Sequence, residues 1–309
     1  MLNIGSLNLS SNLILAPMAG ISDFPFRMLN RKFGCELAFV EMINVHSISH
    51  KSKKTAQMLF SHKDDRPLGI QLLGNEQKYI EKAIDILKKY KFDLLDFNAA
   101  CPARKVVKRG EGAGLLREPK KLEKLLKIIV KNSSWPVTLK IRSGWDKDSV
   151  NAKEIAVIAE GCGINGLFIH GRTKLQEYSG KVDYKSIKAA KKTVKIPVIG
   201  SGDNFSTSLI EKMFAETNCD AACVARGALG NPWIFKGTQP AEEEIISTML
   251  EHLDGCIDFY GERSAILLFR KFFAWYTKGF RNVRHLREKC CHAKSKKDVL
   301  HIVEELQKL

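Results

Sequence analysis

The sequence lacks long hydrophobic runs. No stretch of its 309 residues approaches the roughly eighteen uncharged apolar residues that a membrane span needs. Residues 1–6 also lack the basic segment, the apolar core and the small-residue cleavage site that an export signal combines. We therefore expect a cytoplasmic protein that acts without a membrane, and no feature of the sequence indicates an obligate protein partner.

Paired cysteines are also missing. The eight cysteines occur without Cys-x-x-Cys spacing, which argues against a disulfide framework and against a zinc ribbon. The strongest metal candidate is the group His285, Cys290, Cys291 and His292, but adjacent cysteines rarely direct their sulfur atoms at one ion. We expect no metal site, and we expect most of the cysteines to be small buried hydrophobic residues.

Acidic residues are scarce in one segment near the C-terminus, where basic residues concentrate. Residues 263–297, called here the basic cluster, contain eleven lysines and arginines against one acid, Glu288, and carry +10 of the net charge of +16. Such clustering is typical of a protein that binds a polyphosphate chain. A solvated basic face that serves only solubility is the alternative.

Short apolar segments rich in β-forming residues recur through the first three quarters of the chain. There are eight of them, at 13–16, 38–40, 68–72, 94–97, 137–141, 166–169, 197–199 and 221–225. Amphipathic helical patterns lie between them, for example at 79–90, 121–130 and 153–160. This alternation predicts an α/β fold, a (β/α)8 TIM barrel. An open doubly wound sheet is the alternative, although no Gly-x-Gly-x-x-Gly motif follows the first strand.

A change of pattern beyond residue 238 predicts a second domain. After a linker at 237–240, apolar residues take helical spacing over 245–257, 265–276, 283–291 and 298–306. Ser295 is a candidate N-cap for the last of these helices. We expect a barrel domain over residues 1–238 and a small all-helical domain over 241–309 that carries the basic cluster.

The segments that follow the predicted strands are unusually polar, and parallel barrels build their active sites from these segments. Glycines after the seventh and eighth strands, together with Arg226, are typical of a site for a cofactor phosphate. Lys140 ends an apolar strand and needs a negative partner there, either in a structural ion pair or in a ligand such as a flavin. Cys101 follows the fourth strand, where it could donate a proton or act as a nucleophile, and an inert thiol is the alternative.

Six segments in order resemble the motifs of the dihydrouridine synthase family. They are APMAGISD at 16–23, CP at 101–102 with GAGLL at 112–116, LKIRSGW at 139–145, IHGRT at 169–173, IGSGD at 199–203 and ARGA at 225–228. The resemblance covers roughly residues 1–240 and is strongest to the bacterial B subgroup. The basic cluster matches the family only in character.

The resemblance implies an FMN- and NADPH-dependent reduction of uridine in tRNA, with NADH as a possible reductant. The hydride passes from N5 of FMN to C6 of the uracil, and Cys101 is the general acid that protonates C5. The implied FMN contacts are Pro17, Met18, Ala19, Gln71, Lys140, His170, Ser201, Gly202, Asp203, Ala225 and Arg226. Residues assigned to the tRNA are Asn98, Arg142, Arg172, Lys105, Arg270, Lys278, Arg281 and Arg284, although Asn98, His170 and Arg172 could contact either the flavin or the base.

The sequence departs from the family pattern at three places. Ala99 and Ala100 precede Cys101 where a glycine is common, Gly200-Ser201 replaces part of an Asn-Gly-Asp run, and Ala225 replaces a glycine before Arg226. The last change puts a methyl group near the implied phosphate and weakens the expectation of tight FMN binding.

The glycines at 110–114 predict a loop that adapts when tRNA binds.

Three other functions compete with this reading of the residues. A flavin barrel acting on a free pyrimidine would share the phosphate site but would not need the basic cluster. A Schiff-base lyase using Lys140 would leave Cys101 without a joint role. A non-catalytic RNA-binding protein would keep the barrel without chemistry.

Overall fold

Eight parallel strands form a barrel in the computed structural model, which describes residues 1–49 and 53–309. The strands of the chain are β1 (Leu2–Ile4), β2 (Leu7–Leu9), β3 (Leu13–Leu15), β4 (Ala38–Phe39), β5 (Ile43–Asn44), β6 (Leu68–Leu73), β7 (Leu94–Ala99), β8 (Val137–Arg142), β9 (Gly166–His170), β10 (Val198–Ser201) and β11 (Ala221–Val224). Their order is β3-β11-β10-β9-β8-β7-β6-β4, and a parallel bridge between Ile14 and Leu37 joins the two ends of this path. The predicted (β/α)8 barrel is therefore confirmed, and the open sheet is excluded.

Thirteen α-helices occur among the described residues. They are α1 (Phe24–Lys32), α2 (Val45–Ser49), α3 (Lys53–Met58), α4 (Gln77–Leu87), α5 (Arg104–Lys108), α6 (Pro119–Asn132), α7 (Ala152–Gly161), α8 (Tyr184–Lys191), α9 (Thr207–Thr217), α10 (Glu242–Tyr260), α11 (Glu262–Tyr276), α12 (Arg284–His292) and α13 (Lys296–Leu306). Short 3-10 helices occupy Gly112–Arg117, Arg226–Ala228 and Pro232–Phe235. Among the helices in the described part of the chain, none combines the length and the hydropathy of a membrane span.

The barrel strands are buried along their whole length. All six residues of β6 and all six residues of β7 are buried, because one face of the sheet fills the barrel and the other packs under helices. This double burial explains why the strands appear in the sequence as continuous apolar runs. Polar residues such as Gln71 and Asp96 interrupt these runs only on the face that points inward.

An N-terminal hairpin, absent from our expectations, closes one end of the barrel. Strands β1 and β2 pair antiparallel, with Leu2 opposite Leu9. Ile4 and Leu9 join an apolar cluster with Leu94 and Phe168 inside the barrel. The functional side chains are therefore confined to the opposite end, where the strands terminate.

The chain divides into two compact units, residues 1–23 with 35–226 and residues 24–34 with 227–309. The division falls at Arg226 rather than near residue 238, and it assigns α1 to the helical unit. Within that unit, α1 packs on α10, and the rings of Phe26 and Phe272 stack with centroids 5.8 Å apart. Ser295 caps α13 in a reciprocal capping box with Asp298, so the predicted N-cap is confirmed.

Candidate active site at the barrel mouth

Cys101 lies at the barrel mouth. We define the mouth as the carboxyl-terminal parts of the barrel strands, including Gln71 and Lys140, together with the segments that follow the strands at 16–20, 100–104, 142–145, 170–180, 201–205 and 225–226. Cys101 is two residues beyond the end of β7 and is partly exposed, whereas six of the other cysteines are buried and Cys291 is exposed on α12. Burial is the main cause that raises the pKa of the Cys101 thiol, and the nearby Glu111 raises it further. The backbone N–H of Ala103 and the charges of Arg142 and Arg109 oppose this rise. The thiol therefore holds its proton at pH 7, as an acid must.

The glycine-rich segment after Cys101 is not an adaptable loop. Residues Gly112–Arg117 form a 3-10 helix whose first five residues are buried, and the N–H of Ala113 donates to the carbonyl of Cys101 at 3.0 Å. A side chain at Gly112, whose φ is +57°, would meet that same carbonyl at 2.7 Å. The glycine thus serves close packing behind Cys101, and the prediction that residues 110–114 form a loop free to adapt is wrong.

Hydrogen bonds link Cys101 to Asn98 and Gln71 on the inner face of the barrel. The N–H of Cys101 donates to Asn98 Oδ1 at 2.8 Å, and Asn98 Nδ2 donates to Gln71 Oε1 at 2.8 Å. Gln71 Nε2 donates to Asp96 Oδ2 at 2.6 Å. Two predicted site residues are therefore brought together with Cys101 by a buried network, and Asp96 is a member that our sequence analysis missed.

Lys140 and His170 present unpaired nitrogen atoms at the mouth. Within the described part of the chain, neither Lys140 Nζ nor His170 Nε2 has a hydrogen-bond partner, although both atoms are buried. The ammonium of Lys140 lies 5.6 Å from the centre of the Phe168 ring. Burial and the neighbouring Arg142, Lys140, Arg172 and Arg226 lower the pKa of His170 to about 2, so its ring is neutral at physiological pH.

Unpaired buried nitrogens carry a cost that a bound ligand with acceptor atoms would remove. The structural ion pair considered for Lys140 is not present among the described residues. Its ammonium points instead to a ligand that is anionic or rich in carbonyl oxygens. These are properties of a flavin ring system, so the residues at the mouth fit this cofactor.

The segment after β10 is shaped for close approach. Gly202 has φ of +128°, and an added Cβ there would meet Val182 at 2.9 Å. Asp203 also has positive φ, +53°, and accepts two hydrogen bonds from Arg172, at 2.9 and 2.5 Å. Arg226 lies 3.5 Å from the same carboxylate and keeps 41% of its side chain exposed.

The Arg226 guanidinium rests on two aromatic rings. Its Cζ is 5.0 Å from the centres of both Tyr178 and Phe205, a geometry typical of cation–π contacts. Neither aromatic was identified from the sequence. Because 41% of the Arg226 side chain stays exposed, the guanidinium is accessible to an anion. Ser201 ends β10, and Ala225 directly follows β11.

The turn that contains Pro17, Met18 and Ala19 follows β3. The N–H of Met18 donates to Ser22 Oγ at 2.9 Å, and the N–H groups of Ile21 and Ser22 donate to the Met18 carbonyl at 3.0 Å. The turn is therefore held by its own hydrogen bonds. Pro17 and Met18 are partly exposed and Ala19 is exposed, so all three can be reached by a ligand at the mouth.

Two arginines that we assigned to the substrate make internal contacts. Arg142 donates to the carbonyls of Ala100, Thr173 and Glu177 at 2.7–3.0 Å, and so connects the Cys101 segment to the segment after β9. Arg172 binds Asp203, as described above, and the carbonyl of Gly180 at 2.6 Å. Both side chains are almost fully buried. In this structure they organise the mouth, and their contacts with a base stay a prediction.

The residues assigned to the tRNA backbone differ in exposure. In the helical unit Lys278, Arg281 and Arg284 are exposed. Arg270 instead donates to the carbonyl of Ala293 at 2.7 Å and is partly buried in that unit. In the barrel unit Lys105 is exposed on α5.

Of the metal candidates, Cys290 is buried and Cys291 exposed, and no cluster of three metal-binding side chains occurs among the described residues.

Comparisons with known proteins agree with the motifs. The model of the family "Dihydrouridine synthase (Dus)" matches residues 14–309. tRNA-dihydrouridine synthase B of Pasteurella multocida is 37% identical over 289 residues, which cover 90% of this chain and 87% of that protein. The corresponding protein of Pseudomonas aeruginosa is 36% identical over 295 residues, with coverage of 92% and 89%.

Solved structures of lower identity share the fold. Histamine dehydrogenase from Rhizobium sp. 4-9 superposes with a TM-score of 0.59 at 15% identity, over 88% of this chain and 50% of that one. An old yellow enzyme homologue from Zymomonas mobilis gives 0.57 at 12% identity, over 75% and 89%. The family match, the identity over most of the chain and the geometry around Cys101 agree, and the chain belongs to the dihydrouridine synthase family.

Proposed function

We propose that this chain reduces the 5,6 double bond of uridines in tRNA as an FMN-dependent tRNA-dihydrouridine synthase. The observation that carries the proposal is the combination at one mouth of a protonated Cys101 with the unpaired nitrogens of Lys140 and His170. A lyase would use Lys140 but would give the thiol no role. Curated relatives named tRNA-dihydrouridine synthase B support the choice of substrate.

The proposed cofactor site combines three parts of the mouth. The turn of Pro17, Met18 and Ala19 and the amide of Gln71 border the ring system, and Lys140 and His170 offer nitrogens to it. Ser201, Gly202, Asp203, Ala225 and Arg226 surround the phosphate. When bound, FMN supplies the hydride that adds to C6 of the base. We propose NADPH as the reductant, with NADH as the other possibility.

Cys101 is the proposed general acid for C5. Its burial keeps the proton on sulfur until the carbanionic C5 accepts it. The resulting thiolate stays close to the N–H of Ala103 and to the charges of Arg142 and Arg109, which favour the negative sulfur. His170 stays neutral in this environment and so can bind a ligand without adding a further positive charge. Asn98, Arg142 and Arg172 are candidates for contacts with the base.

A base must leave its stack in folded tRNA before Cys101 can reach it. Unstacking costs a few kcal/mol, and binding elsewhere must offset that cost. We assign this binding to the exposed charges of the basic cluster, with Lys278, Arg281 and Arg284 as contacts to phosphate groups and Lys105 beside the mouth. Because the proposed substrate is tRNA, we also propose that the protein works in the cytoplasm.

A single-turnover experiment separates tRNA from a free pyrimidine as the substrate. Protein loaded with FMN is reduced anaerobically by NADPH and mixed with unmodified tRNA or with UMP, and flavin absorbance reports reoxidation. We expect rapid reoxidation by tRNA and none by UMP at matched uridine concentration. Equal rates with the two compounds would assign the chain to free pyrimidines.

A further inference from the structure

Asp96 begins a one-way chain of hydrogen bonds that ends on the backbone of Cys101. The carboxylate accepts from Gln71, the amide of Gln71 accepts from Asn98, and the amide of Asn98 accepts from the N–H groups of Cys101 and Ala100. These four bonds are 2.6–3.0 Å long. Asp96, Gln71 and Asn98 are 1–5% exposed, so water does not compete for their donors and acceptors.

The two ends of this chain fix its direction. A backbone N–H can only donate, so Asn98 must turn its oxygen toward Cys101 and its nitrogen toward Gln71. Gln71 must then turn its oxygen toward Asn98 and its nitrogen toward Asp96. A carboxylate oxygen satisfies that nitrogen because it accepts. With all links made, each amide has one allowed orientation, whereas an isolated amide could take either of two.

Residues on the two neighbouring strands hold the Asp96 carboxylate in place. Gln71 on β6 lies opposite Asp96 on β7, and Asp96 lies opposite Thr138 on β8. Thr138 Oγ1 donates to Asp96 Oδ1 at 2.7 Å, so both carboxylate oxygens are bonded. Burial raises the pKa of Asp96 to about 6, although Gln71, Thr138 and the charge of Lys140 oppose this rise.

We propose that Asp96 is a positioning residue, which orients the amides of Gln71 and Asn98 and thereby holds the Cys101 peptide at the mouth. The side-chain hydrogen bonds of Asp96 go to Gln71 and Thr138, so Asp96 acts on Cys101 through the chain of amides. Its importance for turnover rests on the proposed function. The orientation of the amides does not, because it is a property of the protein without ligands.

Hydrogen exchange of the Ala100 and Cys101 amides tests the orientation directly. In Asp96→Leu the Gln71 nitrogen loses its acceptor, and we expect the two amides to exchange about tenfold faster, the factor that corresponds to losing one buried hydrogen bond. In Asp96→Asn the side-chain oxygen can still face Gln71, because the Thr138 hydroxyl can accept from the new amide nitrogen. We expect this variant to keep the protection of the wild type.

Two further variants keep the test decisive if Asp96→Leu does not fold. Gln71→Leu breaks the next link and should accelerate the same two amides. Thr138→Val removes the other bond to Asp96 but leaves the Gln71 link, so protection should persist. Fast exchange in Asp96→Asn would mean that the charge at position 96 matters and not its acceptor oxygen. Slow exchange in both Asp96→Leu and Gln71→Leu would mean that the chain of hydrogen bonds does not hold the Cys101 peptide. Either result overturns the proposal.

A double-mutant cycle tests the connection to Cys101. Asp96→Leu should slow single-turnover reoxidation of the flavin by tRNA about tenfold, measured from protein that is loaded with FMN and fully reduced beforehand. In a Cys101→Ala background the same substitution should slow reoxidation less than about twofold, because the residue through which Asp96 acts is gone. Equal slowing in both backgrounds would contradict the proposal. A wild type inactive on tRNA would instead count against the proposed function, and the exchange result would still stand.

Discussion

The barrel mouth and the basic cluster use positive charge in opposite ways. At the mouth, Arg142 and Arg172 are nearly fully buried and bind backbone carbonyls and Asp203. In the helical unit Lys278 and Arg281 are exposed and make no ion pair with any described residue, and Arg284 is 93% exposed despite its contact with Glu288. The first arrangement fixes the geometry of the mouth, while the second leaves charges accessible to solvent, as the proposed binding of tRNA phosphates requires. Substitutions in the two regions should therefore have different signatures.

The largest effect should come from the thiol at the mouth. Cys101→Ala removes the proposed proton donor but none of the proposed contacts to the FMN phosphate, so turnover should fall about 10²- to 10⁴-fold, the usual contribution of a general acid. FMN content and tRNA affinity should stay near those of the wild type. Rapid-quench measurement of dihydrouridine formation checks the rate, and a rate equal to that of the wild type would refute the general-acid role.

The next largest effect should be a loss of tRNA affinity when charges of the basic cluster are removed. Replacing Lys278, Arg281 and Arg284 with alanine should weaken tRNA binding about tenfold to a hundredfold at low salt and reduce the salt slope by about two units, because up to three phosphate contacts are lost. Filter binding at several salt concentrations measures both quantities. The matched control replaces Lys120, Lys124 and Lys131, which are exposed or near the surface on α6. An equal loss in the control would mean that total charge, and not the cluster, binds tRNA.

A third prediction concerns a histidine in the core of the helical unit. His252 is 2% exposed, its ring lies 4.4 Å from that of Phe272, and burial lowers its pKa to about 3. The unfolded chain therefore binds the proton first as pH falls below about 6.5, and stability is lost toward acid. Between pH 7 and pH 5 the loss should be about 2 kcal/mol. Denaturant titrations measure this loss of stability between pH 7 and pH 5. In His252→Phe the loss should be smaller by about 2 kcal/mol. An unchanged loss would mean that His252 is not held neutral in the folded protein.

The smallest effect should come from the exposed cation at the mouth. Arg226→Ala should raise the Kd for FMN about tenfold, because one charge-assisted contact to the phosphate disappears. Tyr178→Leu is the control, since it removes an aromatic support of the guanidinium and keeps its charge. Isothermal titration with FMN measures both variants. Unchanged affinity in Arg226→Ala would place the phosphate elsewhere.

Much of the barrel was predictable because its strands are buried on both faces. Each predicted apolar run contains a strand, and the strand ends differ by one to a few residues, as for β7, which continues to Ala99. Strands β1, β2 and β5 were missed because segments of two or three residues are too short to show a period. The assignment of α1 to the helical unit depends on contacts across more than 200 residues, which local patterns do not record.

The site residues were predictable where a polar or charged residue interrupts or directly follows an apolar segment. Cys101 stood out because a thiol follows an apolar strand, and Lys140 because an ammonium lies near the end of one. Asp96 carries the same signal, a charge inside the run at 94–97, but it lies two residues deeper in the barrel than Asn98, which pairs with Lys140. The glycines at 110–114 misled us, because close packing and flexibility select the same residue and only the structure distinguishes them.

Mass spectrometry of nuclease digests, from unmodified tRNA incubated with the protein, FMN and NADPH, tests the proposed reaction most directly. We predict uridine that has gained two hydrogen atoms, at one or more mapped positions, and no gain with Cys101→Ala on the same time scale. Unchanged tRNA, with flavin bound and NADPH still oxidised, would contradict the assignment of tRNA as the substrate.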